Sequence, residues 1–423
     1  MGRLGLPGRP VRTALARVRR RPRQVLLAAA WLAVAVACAA VWARFWGSGY
    51  VRVDWRHDKR SRLPWVAWLP RHDLAAELAP YGGVPPICAA WLNGTADRPL
   101  RLWYRSADLG WNDVNPQMLP GDCDPARPCE WVVGNAPDSA AADAADAVVW
   151  FPFSGSRPRR LRRGQVLAVW NREPREFSDW AWSEPAIDVF LTYNLDANVP
   201  ITYPPPGFVD RAYAHPIPTE ADFAARRAAV WVSSNCAEAT YNRSRVVELL
   251  RQYVDIDCLG TCLNTGDPPP LPRTTPMDTV IPQYKLWLGL EKSIDQEYVT
   301  EKFLWPLMHN AVGVYIGTSR AAAYAPAPDA YVDALAFPNV AALGRHLQLL
   351  VSNYSAWVAH FDWRRRPPPA RLRELDRLGE GGSPGCRLCA CLCNATCLAA
   401  RGGGHGSAPN LYSSSMVGDA YLH

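Results

Sequence analysis

The chain has 423 residues, 49% of them hydrophobic, enough for two packed domains of ordinary size. Its formal charge of +7 is unevenly spread: Arg3, Arg9, Arg12, Arg17, Arg19, Arg20, Arg21 and Arg23 fall in the first 24 residues, and no acid precedes Asp54. The remainder is near neutral, which excludes a broad basic surface for nucleic acid.

In chain order, the basic tail (1–24) meets an uncharged apolar run, Val25 to Ala43. As a helix, 19 residues span roughly 28 Å, close to a bilayer core. A core helix would need polar positions on one face, and this run has none. Small residues at Ala39 and Ala40 would permit leader cleavage, but the run exceeds a usual signal-peptide core and its basic flank is long. The reading is an uncleaved transmembrane signal anchor: tail cytosolic, everything after Arg44 lumenal, a single-pass type II membrane protein. Residues 44–87, rich in Arg, Trp, Pro and Gly without periodicity, read as a stem.

Short apolar runs then alternate with polar or helical stretches. Strands are expected at Leu100 to Tyr104, Ala145 to Phe151, Gln165 to Trp170 and Val189 to Tyr193, a first α/β domain over 88–220. Runs this apolar suit a parallel sheet covered on both faces. A Pro-rich break at Pro200, Pro204 to Pro206, Pro216 and Pro218 reads as an interdomain linker. A second domain, 221–365, has strands at Ala228 to Ser233, Val254 to Gly260, Leu286 to Leu290 and Ala311 to Gly317, with helices over Arg243 to Tyr253 and Thr300 to Asn310. Strand–helix alternation on both sides of a linker predicts two Rossmann-like domains facing a cleft. Residues 366–423 turn Arg- and Pro-rich, then Cys-rich, then Gly- and Ser-rich, with a disordered end expected.

Of twelve cysteines one, Cys38, lies in the apolar run. The other eleven cluster as Cys123 and Cys129, Cys258 and Cys262, and Cys386 to Cys397, with Cys88 and Cys236 apart. On the lumenal side such spacings read as disulfides rather than zinc ligands, since no His stands at ligand spacing. An odd count leaves one thiol free or bridging two chains in a disulfide-linked dimer. Sequons at Asn93, Asn242, Asn353 and Asn394 fit secretory passage.

The densest chemistry is Glu291 to Phe303, where an apolar strand gives way to an acidic loop and then a helix. Free amides and the dipole at Thr300, Glu301 and Lys302 would favour phosphate oxygens. Lys302 adds charge, Glu301 can accept from ribose hydroxyls, and Tyr298 offers a flat face. A plain helix cap beside a solvated acidic loop explains the same residues equally well.

This stretch resembles the signature of the α1,3/4-fucosyltransferase family, glycosyltransferase family 10, in which a strand is followed by Glu-Asn-Ser, an acidic loop and Tyr-(Ile/Val)-Thr-Glu-Lys-(Leu/Phe). Tyr298 to Phe303 carries that last element intact. Asn310 to Gly317, Trp231 to Cys236 followed by Arg243, Val254 to Gly260 and Phe361 to Arg364 are similar to further family elements, so the resemblance spans roughly 100–365. It implies a GT-B-like fold and inverting transfer of L-fucose from GDP-β-L-fucose to a glycan hydroxyl, the 3-position of N-acetylglucosamine, in the Golgi lumen. Arg243 and Lys302 would neutralise the diphosphate, with Arg245 an alternative to Arg243. Glu301 would hold the ribose, Tyr298 would line the nucleotide pocket and Trp287 would stand near guanine. Ser234 and Asn235 fall in the matching Val-Ser-Asn-Cys element, on the donor side. Trp170 to Pro174 resembles the family's Glu-Ser-Pro element, making Glu173 the catalytic base; Glu184-Pro185 is the local rival and a surface ion pair the plainer reading of Glu173.

The sequence also departs from the family. Lys292 replaces the Asn after the motif Glu, placing a cation near the nucleotide, where it would join the donor-binding residues by reinforcing phosphate binding or else displace a specific hydrogen bond; Asn194 stands where Arg is frequent, and Gly313 replaces a Pro. Asn242 adjoins Arg243, so its sequon is expected to be unoccupied, unlike those at Asn93, Asn353 and Asn394. Asp255-Ile256-Asp257 has the spacing of a divalent-ion motif but falls in an expected strand and reads as structural, so no metal or other cofactor is expected to be required. Two other readings stay open: an inverting transferase using another sugar nucleotide, and an inactive lumenal relative that binds glycans or nucleotide sugars.

Overall fold

A computed structural model describes residues 74–105, 123–134, 140–151, 162–174, 187–400 and 414–422, apart from residues 238, 265, 267 and 381–382. The basic tail, the apolar run 25–43, residues 44–73 and the Glu184-Pro185 pair lie outside these residues. Among the described residues no helix is long and apolar enough to cross a membrane.

Two parallel sheets organise the chain. The first contains β1 (Leu100–Arg105), β2 (Cys129–Gly134), β3 (Ala147–Trp150), β4 (Val166–Asn171), β5 (Val189–Thr192) and β6 (Val199–Pro200), in the order β2-β1-β3-β4-β5-β6. The second contains β7 (Arg227–Trp231), β8 (Ile256–Cys258), β9 (Tyr284–Leu290), β10 (Val312–Ile316) and β11 (Tyr331–Asp333), in the order β11-β10-β9-β7-β8. Every strand pairing is parallel.

The apolar runs follow from that arrangement. Crossover helices cover both faces of a parallel sheet, so successive side chains are buried on opposite sides. In β9, Leu286, Leu288 and Leu290 enter one core with Ala229, Trp231, Val312, Val314 and Ile316. Trp287 enters the opposite one with Val230, Val280, Ile281 and Tyr284. Each such side chain contributes about 1.5–3 kcal/mol on burial.

Three expectations are corrected. The stem does not extend to residue 87: helix Leu74–Leu78 buries Leu74 and Leu78 in the first-sheet core, and Glu77 accepts from the Gly164 amide at 2.7 Å. The Pro-rich break is packed. Its helix Phe208–Tyr213 buries Phe208 and Val209 against Val299, Phe303 and Leu307, and Asp376 accepts from the amides of Phe208 and Val209. The C-terminal stretch is ordered where described. Helix Pro384–Leu392 buries Leu388, Cys389 and Leu392 in the first-sheet core. Residues 414–422 place Val417 and Tyr421 in the second-sheet core, with Tyr421 Oη donating to Ala334 O.

Disulfides are present, but the pairing is not that of neighbours. Cys88–Cys393, Cys123–Cys386 and Cys129–Cys389 join the start of the first half to the Cys-rich helix across 305, 263 and 260 residues. Cys236–Cys262 and Cys391–Cys397 close short loops. Cys258 is the free thiol among the described residues and is buried, so it offers no surface for a second chain.

Candidate active site

Parallel strands leave their carboxyl ends on one edge of a sheet, where loops are free to carry chemistry. On the second sheet the loops after β7 and β9 lie side by side, because these strands are neighbours. Arg243, the first residue of helix Arg243–Leu250, is 5% exposed and fixed at their seam: Nη1 donates to Leu290 O at 3.3 Å and Nη2 to Asn235 O at 2.5 Å. Arg245 points outward and pairs with Glu248. Ser234 and Asn235 are exposed on the loop, which Cys236–Cys262 clamps and Gly260 admits; a Cβ at 260 would lie 2.0 Å from Ser233 O.

After β9, Glu291 is fully buried. Its carboxylate accepts from the Thr300 amide and Thr300 Oγ1 at 2.9 Å and from Tyr315 Oη at 3.2 Å. Burial pushes its carboxyl up to about 7, against the pull of Lys302. Thr300 caps helix Glu301–Met308, its hydroxyl accepting from the Lys302 amide. The expectation of free amides here is therefore corrected: those of Thr300, Lys302, Phe303 and Leu304 all donate within the protein. What remains for an anion is charge. Lys302 Nζ lies 2.7 Å from Glu301 Oε1 and 3.7 Å from Glu291 Oε2, with a quarter of the side chain exposed. Burial works against its charge, but Glu301 and Glu291 outweigh it and hold the ammonium above its usual value. For Glu301, burial opposes ionisation, but Lys302 and hydrogen bonds outweigh it and keep the carboxyl below its usual value.

Trp287 does not present a face to a base, which corrects a second expectation. It is 2% exposed, set edge-on to Trp305, and its Nε1 donates to Lys302 O at 2.9 Å, so it seats the helix start from beneath. Tyr298 is also buried, packed edge-to-face with Tyr193 and Tyr203.

The first sheet contributes Glu173 just past β4. Its amide donates to Asn171 Oδ1 at 2.9 Å, and its carboxylate, 36% exposed, ion-pairs with Lys292 across 119 residues of chain. Next to it Arg172 lies 4.1 Å over the ring of Tyr203, whose hydroxyl donates to Arg172 O. Burial raises Tyr298 well above 10, with Tyr203, Glu291, Glu173 and Glu301 adding to the effect. The carboxylates of both sheets thus act on one ring. The expected base and the expected phosphate cations share a single neighbourhood.

Several residues there had no role in the sequence reading. Tyr193 Oη donates to Asp295 Oδ2 at 2.7 Å, and Glu297 Oε2 accepts from the Leu195 amide at 2.7 Å. Glu297 is 4% exposed, has φ +58° and lies 3.5 Å from Arg320. The acidic loop is therefore not solvated. Its positive φ follows from these partners, which the local sequence does not show.

Of the sequons, Asn93, Asn242, Asn353 and Asn394 are all exposed, and the last three cap helices through Oδ1. Asp257 pairs with Arg227 at 2.8 Å, beside a groove of about 660 Å³ along edge strand β8 that shares no residue with the site above.

Residues 224–398 match the family described as glycosyltransferase family 10 (fucosyltransferase) C-term. The chain is 28% identical over 279 residues to the 4-galactosyl-N-acetylglucosaminide 3-alpha-L-fucosyltransferase FUT6 of Homo sapiens, covering 61% of this chain and 72% of that one. It is 27% identical over 227 residues to the GDP-fucose protein O-fucosyltransferase 3 of Gallus gallus, covering 50% of this chain and 48% of that one. It thus spans about half the length of the latter relative. A crystal structure of an alpha1,3-fucosyltransferase with GDP aligns with TM-score 0.43 at 14% identity, over 67% of this chain and 88% of that one.

Proposed function

We propose, from the match of residues 224–398 to glycosyltransferase family 10 (fucosyltransferase) C-term, that this chain is an inverting fucosyltransferase using GDP-β-L-fucose. The supporting observation is the ion pair between Glu173 of the first sheet and Lys292 of the second, which follows Glu291, whose carboxylate lies 3.7 Å from Lys302. In this reading the acceptor hydroxyl oxygen attacks the anomeric carbon, Glu173 takes its proton, and the bond from that carbon to the diphosphate breaks. GDP leaves with the bonding pair, its charge met by Lys302 and Arg243. Glu301 is assigned to the ribose and the Ser234–Asn235 loop to the donor; Tyr298 closes the pocket wall. No divalent ion enters the scheme, so activity persists in EDTA.

The acceptor is assigned as the 3-hydroxyl of N-acetylglucosamine in glycoprotein glycans, the reading closest to the human relative. A hydroxyl on a polypeptide is the second reading, favoured by relatives named protein O-fucosyltransferase. The disulfides fit an oxidising lumen, and we assign the enzyme to the Golgi membrane through residues 25–43. The test is transfer of radiolabel from GDP-fucose by the purified chain to N-acetyllactosamine glycans and to unglycosylated protein domains. Transfer to the glycan, reduced by Glu173→Gln about 100-fold or more, is expected. Transfer only to polypeptide replaces the acceptor, and transfer only from another sugar nucleotide overturns the proposal.

A further inference from the structure

Lys292 falls in the donor loop, where a cation is expected to meet phosphate. The structure gives its ammonium a different partner, the carboxylate of Glu173 on the opposite sheet. Both ends of that pair are anchored. The carbonyl of Lys292 accepts from the amide of Thr240 at 2.8 Å and from its hydroxyl at 3.3 Å, and the preceding Glu291 is locked by Thr300 and Tyr315. Glu173 follows β4 directly, its amide held by Asn171 Oδ1 and the next residue, Pro174, buried.

The same loop grips the first sheet twice more, through Asp295 with Tyr193 Oη and Glu297 with the Leu195 amide. The segment 292–298 thus carries three polar links to the ends of β4 and β5. Among them, the Lys292 link ends on the group assigned to remove the proton.

We propose that Lys292 is a positioning residue for the catalytic carboxylate rather than a ligand of the donor phosphates. It engages Oε2 of Glu173, which leaves Oε1 to take the proton of the attacking hydroxyl. One rotamer of Glu173 is thereby held over the donor half before the acceptor arrives. The pair stands at the solvent-facing side, with side chains 20% and 36% exposed, so an acceptor can reach it. A partly exposed ion pair of this kind contributes at most about 1 kcal/mol to folding, and thermal melting separates that effect from a change in geometry.

The inference rests on the fucosyltransferase reading. The test compares wild type, Lys292→Gln, Lys292→Arg, Glu173→Gln and the Lys292→Gln/Glu173→Gln double variant of the full chain. Readouts are steady-state kinetics with GDP-fucose, GDP binding by calorimetry and thermal melting. Lys292→Gln is expected to lower kcat about 10- to 100-fold, as a misplacement near 1 Å does, with KM for GDP-fucose and Kd for GDP within about twofold. Lys292→Arg recovers most of the rate, and the double variant is no slower than Glu173→Gln alone, since the two act as one unit. A rise in KM and Kd at unchanged kcat would make Lys292 a phosphate ligand and overturn the proposal. A higher kcat in Lys292→Gln, or full additivity in the double variant, overturns it as well. If wild type transfers no fucose from GDP-fucose, the functional reading itself falls, and this one with it.

Discussion

Replacing Gly289 with alanine tests whether the start of helix Glu301–Met308 is the donor-binding element. A Cβ at 289 would lie 2.5 Å from the carbonyl oxygen of Lys302 and 3.1 Å from its carbonyl carbon, where ordinary contacts begin at 3.4 Å. The obstacle is backbone, and Trp287 Nε1, on the same face and 3.5 Å from that Cβ, holds the same carbonyl oxygen, so no side-chain rotation relieves it. The helix start, with Glu301 and Lys302, must lift by about 0.5–0.9 Å. Overpacking of this kind costs about 1–3 kcal/mol, which lowers Tm by a few degrees. A displacement approaching 1 Å in a substrate-gripping group costs up to about 100-fold in rate. Gly289→Ala should therefore raise KM for GDP-fucose about tenfold and lower kcat/KM by about 10- to 100-fold, measured by radiolabel transfer alongside a melting curve. A variant that melts early yet keeps its KM would refute the assignment of Lys302 and Glu301 to the donor. One that also keeps its Tm would refute the packing argument.

Arg243→Lys should raise KM for GDP-fucose about tenfold or more, because an ammonium cannot span Leu290 O and Asn235 O together; Arg245→Ala should leave it within about twofold, and the reverse ranking would exchange the two arginines. Glu291→Gln probes the buried carboxyl held at about 7. The native state binds this proton more tightly than the unfolded chain, so wild type loses stability as pH rises from about 4.5 to about 7 and loses no more above it. At about 1.4 kcal/mol per pH unit, the glutamine variant should gain on wild type by at most about 3.5 kcal/mol across that window in urea melts. A gain on acidification would refute the sign. Cys258→Ser should leave the species seen on non-reducing gels and by light scattering unchanged, since the thiol is buried and burial raises its pKa; loss of a covalent dimer would contradict that placement.

The strands were the legible part of the fold. Val166–Asn171 and Tyr284–Leu290 are buried along nearly their whole length, and a continuous apolar run reports that directly. β2 (Cys129–Gly134) was missed because a cysteine and a glutamate open it, and β11 (Tyr331–Asp333) because three residues are too short for an apolar run. At the site, the Thr300 cap follows from local pattern, whereas Arg243 was singled out by the family resemblance, with Arg245 open beside it, because helical phase alone does not separate residues two apart at a helix start. The buried Trp287 does not: on a strand covered on both faces, an aromatic side chain looks the same in sequence whether it meets a ligand or a helix. Asp295 and Glu297 read as solvated acids, since their partners Tyr193 and Leu195 lie 102 residues away. Disulfide partners were equally hidden, because spacing along the chain fixes no connectivity.

The three long cross-links impose an order on biosynthesis. Cys88 and Cys129 leave the ribosome some 305 and 260 residues ahead of the thiols they pair with. At translation speeds of about 5–20 residues per second they wait roughly 15–60 s before those partners are made. During that interval the amino-terminal half exposes the apolar surface that Leu388 and Leu392 later cover, and it is open to premature oxidation and to chaperone capture. A chain cut short before Cys386 would spoil the half made first while sparing most of the half made second, so early stop codons should surface as retention of the nascent product rather than as a simple loss of turnover.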